Sequence, residues 1–503
     1  MAAALITGLA ACTYAPTTSP APRPPEPSST GAAGAPTAGV TPPAPSAPPT
    51  TSVPPAAGVR AFPGAEGFGA DATGGRGGAV CTVTSRARAG AGSIAACLTT
   101  PGPVTIVFAV GGVFAGPVEI TRADVTLAGQ TAPGGVTIAG GLVCDNVYEP
   151  GSDCRNLVVR HVRLRAAVDD GLRLGGTRDV IIDHASIGAA HDELVEISRS
   201  HRITVQHSHL AEPVGDHYRW GGVLLNYSTR ERPLDEITLH HNVWNGVAGR
   251  LPEISCEEND DAPGSNCAGH TIHLELASNL LFDVGDPIWH NRCVGTNEGN
   301  DCAPGPRDVR LVLSLVDNVL VRRGDADDDA PLIEPGVARA DGSVVFARGN
   351  RVCRGAACVD AAPPGRLAAA RPALPAVTTT VAAALPAELA AEVGAWPRDP
   401  MDLRLLGYLA GAPGSVDRRP RAWRDEAGVD HRDALAPAAG ADAAGPIDGD
   451  GDGMPDAWER AHGTDPAVAA PWATGVAASG TVVGCTPGYA DLECYLHERA
   501  TTR

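Results

Sequence analysis

A nine-residue pattern returns along the middle of the chain, at residues 156–164, 179–187, 202–210 and 236–244. Each copy is a short apolar run ending near a histidine: His161, His184 and His207 are spaced by 23 residues, and His241 follows a longer insertion. The pattern continues more loosely through Asn279, Asn318 and Asn350. A strand recurring at this period, with no helical stretch between copies, predicts a solenoid of β-coils. The expected class is all-β, a right-handed parallel β-helix, with the histidines stacked in a ladder at one corner. A second short strand falls between copies, at Asp170–Leu174 and again 23 residues on at Glu193–Ile197. Coils of such a helix stack about 4.8 Å apart. Residues one period apart in sequence therefore become neighbours in space.

Composition supports this class and narrows the partners. Aromatics are only 4% of the 503 residues, while Gly (60) and Pro (44) are abundant, which suits many short strands punctuated by turns. The net charge of −19 argues against nucleic acid or an anionic membrane surface as partner. A polyanionic substrate would need a metal ion to bridge it to such a surface. The chain contains no lysine, so every fixed side-chain cation is an arginine.

The segment Met1–Ala11 is apolar and leads to Leu9-Ala10-Ala11-Cys12, which resembles a bacterial lipobox. Residues 1–12 are read as a signal peptide with Cys12 as a lipid-anchor site, and this anchor is the expected membrane link. Residues 13–58 are almost entirely Pro, Ala, Thr, Ser and Gly, an extended tether that cannot bury a core. The expected location is secreted or at the cell surface. Setting Cys12 aside, twelve cysteines form six close pairs: 81/97, 144/154, 256/267, 293/302, 353/358 and 485/494. An even count and export predict local disulfides. Zinc is disfavoured, because no pair has finger spacing.

Stacking gathers acidic residues on one face: Asp169, Asp170, Asp192, Glu193 and Glu196. Asp192 and Glu196 are an even number of residues apart and point the same way if both lie in a strand. Crowded carboxylates repel unless a cation joins them, and an all-oxygen donor set suits Ca²⁺. A plain solvated acidic face is the alternative.

Several motifs together resemble the pectate lyases of polysaccharide lyase family 1, as found in bacteria. They are Ala61–Gly69, Gly74–Gly78, Leu127–Gly135, Ile181–Ser186 with Asp192-Glu193, and Ala395–Asp399. The resemblance covers about residues 60–405 and implies the same β-helix fold. It places calcium carboxylates at Asp170, Asp192 and Glu196, with Val168 where some members carry a further Asp. It places the catalytic base at Arg250, in Arg250-Leu-Pro252 beyond His240-His-Asn-Val-Trp244. A guanidinium ordinarily keeps its proton, so this role rests on the resemblance alone. Substrate contacts fall on His217 and Arg219, and Ser255 stands where the family often has a second Arg. The activity implied is calcium-dependent β-elimination of an acidic plant cell-wall polysaccharide, pectate or a related polyuronate.

The C-terminal segment, 411–503, follows the 59–410 β-helix and carries its own signal. Asp448, Asp450, Asp452, Asp456 and Glu459, with Gly453 at the sharp turn, fit the twelve-residue D-x-D-x-D-G-x₅-E calcium loop over 448–459. The absence of a clear entering helix predicts a single structural loop, like those of dockerins or thrombospondin-type repeats. A monomer is expected. The main alternative function is a surface β-helix that binds polysaccharide without cleaving it. A third reading, hydrolysis by a carboxylate pair such as Asp169 and Asp170, differs from the lyase in not needing metal.

Overall fold

The computed structural model describes residues 58–215, 221–247, 249–255, 267, 269–284, 289–290, 309–322, 332, 342–354, 357–361, 367–409 and 433–502. The signal and tether segments lie outside these. Residues 52–503 form one compact unit.

Three long sheets run along the molecule, here called sheets I, II and III, with ten, ten and seven strands. One coil shows how the chain builds them. It runs through Arg155–Arg160 in sheet I, turns at His161, and continues through Val162–Arg165 in sheet II. It then turns through 166–171, runs along Leu172–Gly175 in sheet III, and re-enters sheet I at Arg178–Asp183. Val180 pairs with Leu157 and Ile203 with Val180, so the register equals the repeat read in the sequence. Among the described residues, strand pairing is parallel except for the last pair, Arg351–Arg354 with Ala357–Asp360. The architecture is the expected right-handed parallel β-helix.

Alternate residues of each strand point inward and make the core. Leu157, Val159, Val180, Ile182, Ile203, Val205, Ile237 and Leu239 are buried in one continuous apolar cluster. The outer face of sheet I is buried as well, because the strap 61–72 covers it. Ala61, Phe62, Ala65, Ala70 and Ala72 pack on Val158 and Ile181. The strap is pinned by backbone N–H groups of Phe68 and Gly69 donating to the hydroxyls of Thr238 and Thr204. Gly69 is required there: a Cβ would lie 2.1 Å from the Val180 carbonyl oxygen. Coverage on both faces explains why these strands read as unbroken apolar runs.

The corner between sheets I and II needs a left-handed residue on each coil. His161, His184, His207 and His241 have φ between 47° and 53°, a conformation that Asn, Asp and His adopt more readily than other side chains. Their rings stack at centroid separations of 4.7, 5.0 and 4.9 Å, which is the predicted ladder. Beyond it the asparagines differ from expectation by one residue. Asn279 follows Asn242, not His241, and stands inside the corner. Backbone N–H groups of Asn242, Asn279 and Asn318 donate to the Oδ1 of the asparagine one coil on, ending at Asn350. The two ladders are adjacent, one facing out and one in, and spacing alone does not separate them.

Sheet II is covered by two helices, Leu385–Glu392 and Pro400–Leu409. Leu385, Leu389, Val393 and Leu406 pack on Val243, Leu280 and Val319. Fully buried Arg165 is held by Asp399 at 3.1 Å and Asp402 at 2.9 Å, and Asp402 also accepts from Ser186 at 2.6 Å. The C-terminal residues return to the first coils, where Leu492, Tyr495 and Leu496 of helix Asp491–Thr501 pack on Val107 and Ala128. Four predicted disulfides are formed: Cys81–Cys97, Cys144–Cys154, Cys353–Cys358 and Cys485–Cys494. The other two expected pairs involve Cys256, Cys293 and Cys302, which lie outside the described residues.

Candidate active site and calcium loop

The turns leading from sheet II into sheet III stack on one another and carry the acidic residues. Gly171 N donates to the Glu193 carbonyl, Leu194 N to that of Gly221, and Val223 N to that of Arg250. Asp170, Glu193, Gly221 and Arg250 therefore come from four successive coils at one edge of the molecule.

Ligand oxygens of Asp169, Asp170 and Asp192 converge within 4.8 Å, as do those of Asp170, Glu193 and Glu196. Asp170 belongs to both groups and is 3% exposed. Its Oδ1 accepts from the Glu193 backbone N–H at 3.0 Å, which fixes its direction. All predicted carboxylates of this site are thus brought together, but not by the parity argument. The strands begin at Leu172 and Val195, so Asp169, Asp170, Asp192 and Glu193 are turn residues. The alternation of strand faces does not apply to them, and Asp169 joins the cluster. Val168, at the position where some relatives place a further carboxylate, is 88% exposed.

Burial pushes the carboxyls of Asp169 and Asp170 up, and burial with the Asp170 charge pushes Glu196 up to about 8. A site that resists its own ionisation in this way is suited to an added cation. The donor set, oxygen only, fits Ca²⁺.

One resident of the cluster carried no sequence signal. Arg173 reaches Asp170 at 2.7 Å, Asp169 at 3.2 Å and Glu196 at 3.3 Å. Although burial opposes it, these carboxylates raise the guanidinium pKa still further. Arg250 sits two coils beyond Glu193, with φ 58°. It ion-pairs with Glu193 and, at 3.1 Å, with Glu253, both nearly fully buried. His217 and Arg219, predicted as substrate contacts, lie outside the described residues.

The second acidic motif is a separate loop. Carboxylate oxygens of Asp448, Asp450 and Asp452 lie within 4.8 Å of one another. Asp448 accepts from the N–H groups of Gly451 at 2.8 Å and Gly453 at 3.0 Å, which closes the loop around it. Burial pushes Asp452 up to about 6, and burial with the neighbouring aspartates pushes Glu459 up to about 7. Oδ2 of Asp450 and Oε2 of Glu459 are buried without a hydrogen-bond partner. Unpartnered carboxylate oxygens on such a loop fit a calcium ion. Asp456 is engaged at its edge, accepting from Gly449 N at 2.7 Å and Arg460 at 3.0 Å. An exiting helix, Asp456–His462, follows the loop. Met454, in the loop, packs with Leu492 and Val107, so the loop is tied to the first coils.

Fold and site together define a parallel β-helix with a cluster of carboxylates and two arginines on one edge. The comparisons with known proteins fall on the same class. The chain is 36% identical over 169 residues to probable pectate lyase C of Aspergillus oryzae, and 38% identical over 167 residues to that of Emericella nidulans. Each match covers 31% of this chain and 38% of the relative. The chain thus spans less than half the length of these curated relatives. Among solved structures, a pectate lyase from Bacillus sp. N165 in complex with trigalacturonate is similar, with 16% identity and a TM-score of 0.41. That likeness covers 66% of this chain and 98% of the other. Residues 448–469 match the bacterial TSP3 repeat, in agreement with the thrombospondin-type loop expected from the sequence.

Proposed function

We propose that this protein is a polyuronate lyase that cleaves pectate or a related polymer by calcium-dependent β-elimination. The observation that carries the reading is the meeting of the Asp169, Asp170, Asp192 and Glu196 carboxylates with Arg250 through Glu193. Asp170, Asp192 and Glu196 would hold the ion. Bound there, calcium supplies positive charge to a uronate carboxylate, which eases removal of the neighbouring C5 proton. Arg250 would accept that proton in its neutral form, and the C4–O bond would break with its electrons on oxygen, which takes a proton from solvent, to give an unsaturated sugar. Glu193 and Glu253 orient Arg250 from two sides and fix its guanidinium beside the cluster. His217 and Arg219 would contact the substrate.

The loop Asp448–Glu459 would hold a second, structural calcium. Export, with a lipid anchor at Cys12 and a Pro-rich tether, agrees with the four disulfides, which belong to an oxidising compartment. A non-catalytic polysaccharide-binding β-helix is the second reading. The observation in its favour is that both arginines of the site are already engaged by carboxylates.

The test is ultraviolet absorbance of the new C4=C5 double bond, with polygalacturonate as substrate and calcium or chelator added. A rise that chelator abolishes supports the calcium-dependent lyase. A rise that persists in chelator refutes the metal requirement. No rise on any uronate polymer, with binding retained, favours the second reading.

A further inference from the structure

The strand Leu172–Gly175 puts a cation where the proposed function places a metal. The outward positions of sheet III stack from coil to coil as Glu119, Val143, Arg173, Glu196, Leu224 and Glu253. Arg173 is the one basic residue in this stack, and its direct neighbour one coil on is Glu196. Nε of Arg173 donates to Oδ2 of Asp170 at 2.7 Å and lies 3.3 Å from Glu196, while a terminal nitrogen reaches Asp169. Each of the three belongs to one of the two converging carboxylate groups, and Asp170 belongs to both. The Asp170 side chain is 1% exposed and its direction is fixed by the Glu193 N–H. The Arg173 side chain is 24% exposed, with a long stem and an open side toward solvent. Within the pair, the arginine is the partner free to move.

A carboxylate oxygen directed at a guanidinium N–H is not available to a divalent ion at the same time. Moreover, a cation already within the cluster opposes the arrival of another by direct repulsion. We propose that Arg173 is a resident counter-ion that competes with calcium for Asp170 and Glu196, so that the metal binds only as Arg173 swings outward. This rests on the metal reading given above and adds a device that sets the affinity of the site. It makes the site weak for calcium on its own, and gives the empty cluster a charge partner that keeps its carboxylates together.

The experiment is calcium titration by isothermal calorimetry on the full chain, comparing wild type with Arg173→Gln and Arg173→Met. Each is paired with the same protein carrying Asp170→Asn. The difference within a pair isolates this site from the C-terminal loop, and circular dichroism verifies the fold of each variant. Removing the competitor is expected to tighten the Asp170-dependent site by about ten- to a hundredfold, each factor of ten being ~1.4 kcal/mol. A measurable Asp170-dependent site in wild type that is unchanged or weaker in both Arg173 variants overturns the proposal and leaves the metal reading standing. Absence of any Asp170-dependent site in wild type and both variants overturns the metal reading, and this proposal with it.

Discussion

Replacing Arg250 is the most direct test of its role, and the structure shows why alanine is the wrong replacement to rely on. The guanidinium stands between Glu193 and Glu253, whose side chains are 3% and 4% exposed. Truncation removes one charge partner from both buried carboxylates at once. Breaking a buried pair by deleting one member costs about 3–5 kcal/mol, so Arg250→Ala is expected to lose stability of that order as well as activity. Arg250→Lys keeps the charge but not the planar fork, which bonds two carboxylates from fixed directions. It is expected to lose only about 1 kcal/mol of stability while turnover on polygalacturonate falls by two or more orders of magnitude. Urea unfolding followed by circular dichroism gives the first quantity, and the rate of double-bond absorbance gives the second. Near-native turnover in Arg250→Lys would refute the assignment of the base. Equal stability of wild type and Arg250→Ala would refute the claim that these ion pairs hold the turn.

Further predictions concern the two acidic sites and the helix over sheet II. Asp170→Asn is expected to abolish calcium-dependent cleavage with the fold retained; a variant that keeps the wild-type rate and the wild-type response to chelator would contradict the ligand assignment. In the C-terminal loop, Asp452 and Glu459 are raised to about 6 and about 7, above the usual carboxyl values near 4. In chelator the folded form therefore holds more protons than the unfolded one between about pH 4 and 7, and stability falls as pH rises through that window. Calcium should reverse this, with a larger gain in melting temperature at pH 8 than at pH 5; no gain at pH 8 would sink the loop assignment. Asp402 is held well below the usual carboxylate range, with Arg165 and His209 outweighing its burial. Its contribution is present above about pH 4 and lost in acid, and Asp402→Ala should cost about 3–5 kcal/mol in urea unfolding.

Much of the β-helix is legible in the sequence for one physical reason. In a solenoid the nearest neighbour of a residue lies one period along the chain, so repetition in sequence is the contact map. The register of Val180 on Leu157 and the stacking of His161, His184 and His207 follow from that. The acidic C-terminal loop is legible for a different reason: its oxygens sit within twelve consecutive residues, and Gly453 is where the sharp turn must fall.

Tertiary structure decided what periodicity does not govern. Asp169, Asp170, Asp192 and Glu193 lie in turns, where side-chain direction follows local backbone and hydrogen bonds, so strand parity does not place them. Arg173 reads in sequence as an ordinary outward strand residue. Only the packing of its stem between Asp170 and Glu196 makes it part of the cluster. Contacts between distant segments left no local trace at all. Arg165 meets Asp399 across 234 residues, and Arg76 meets Glu493 across 417. Such pairs satisfy a buried charge with whatever partner the closing chain delivers, and a charge in sequence carries no mark of which partner that will be.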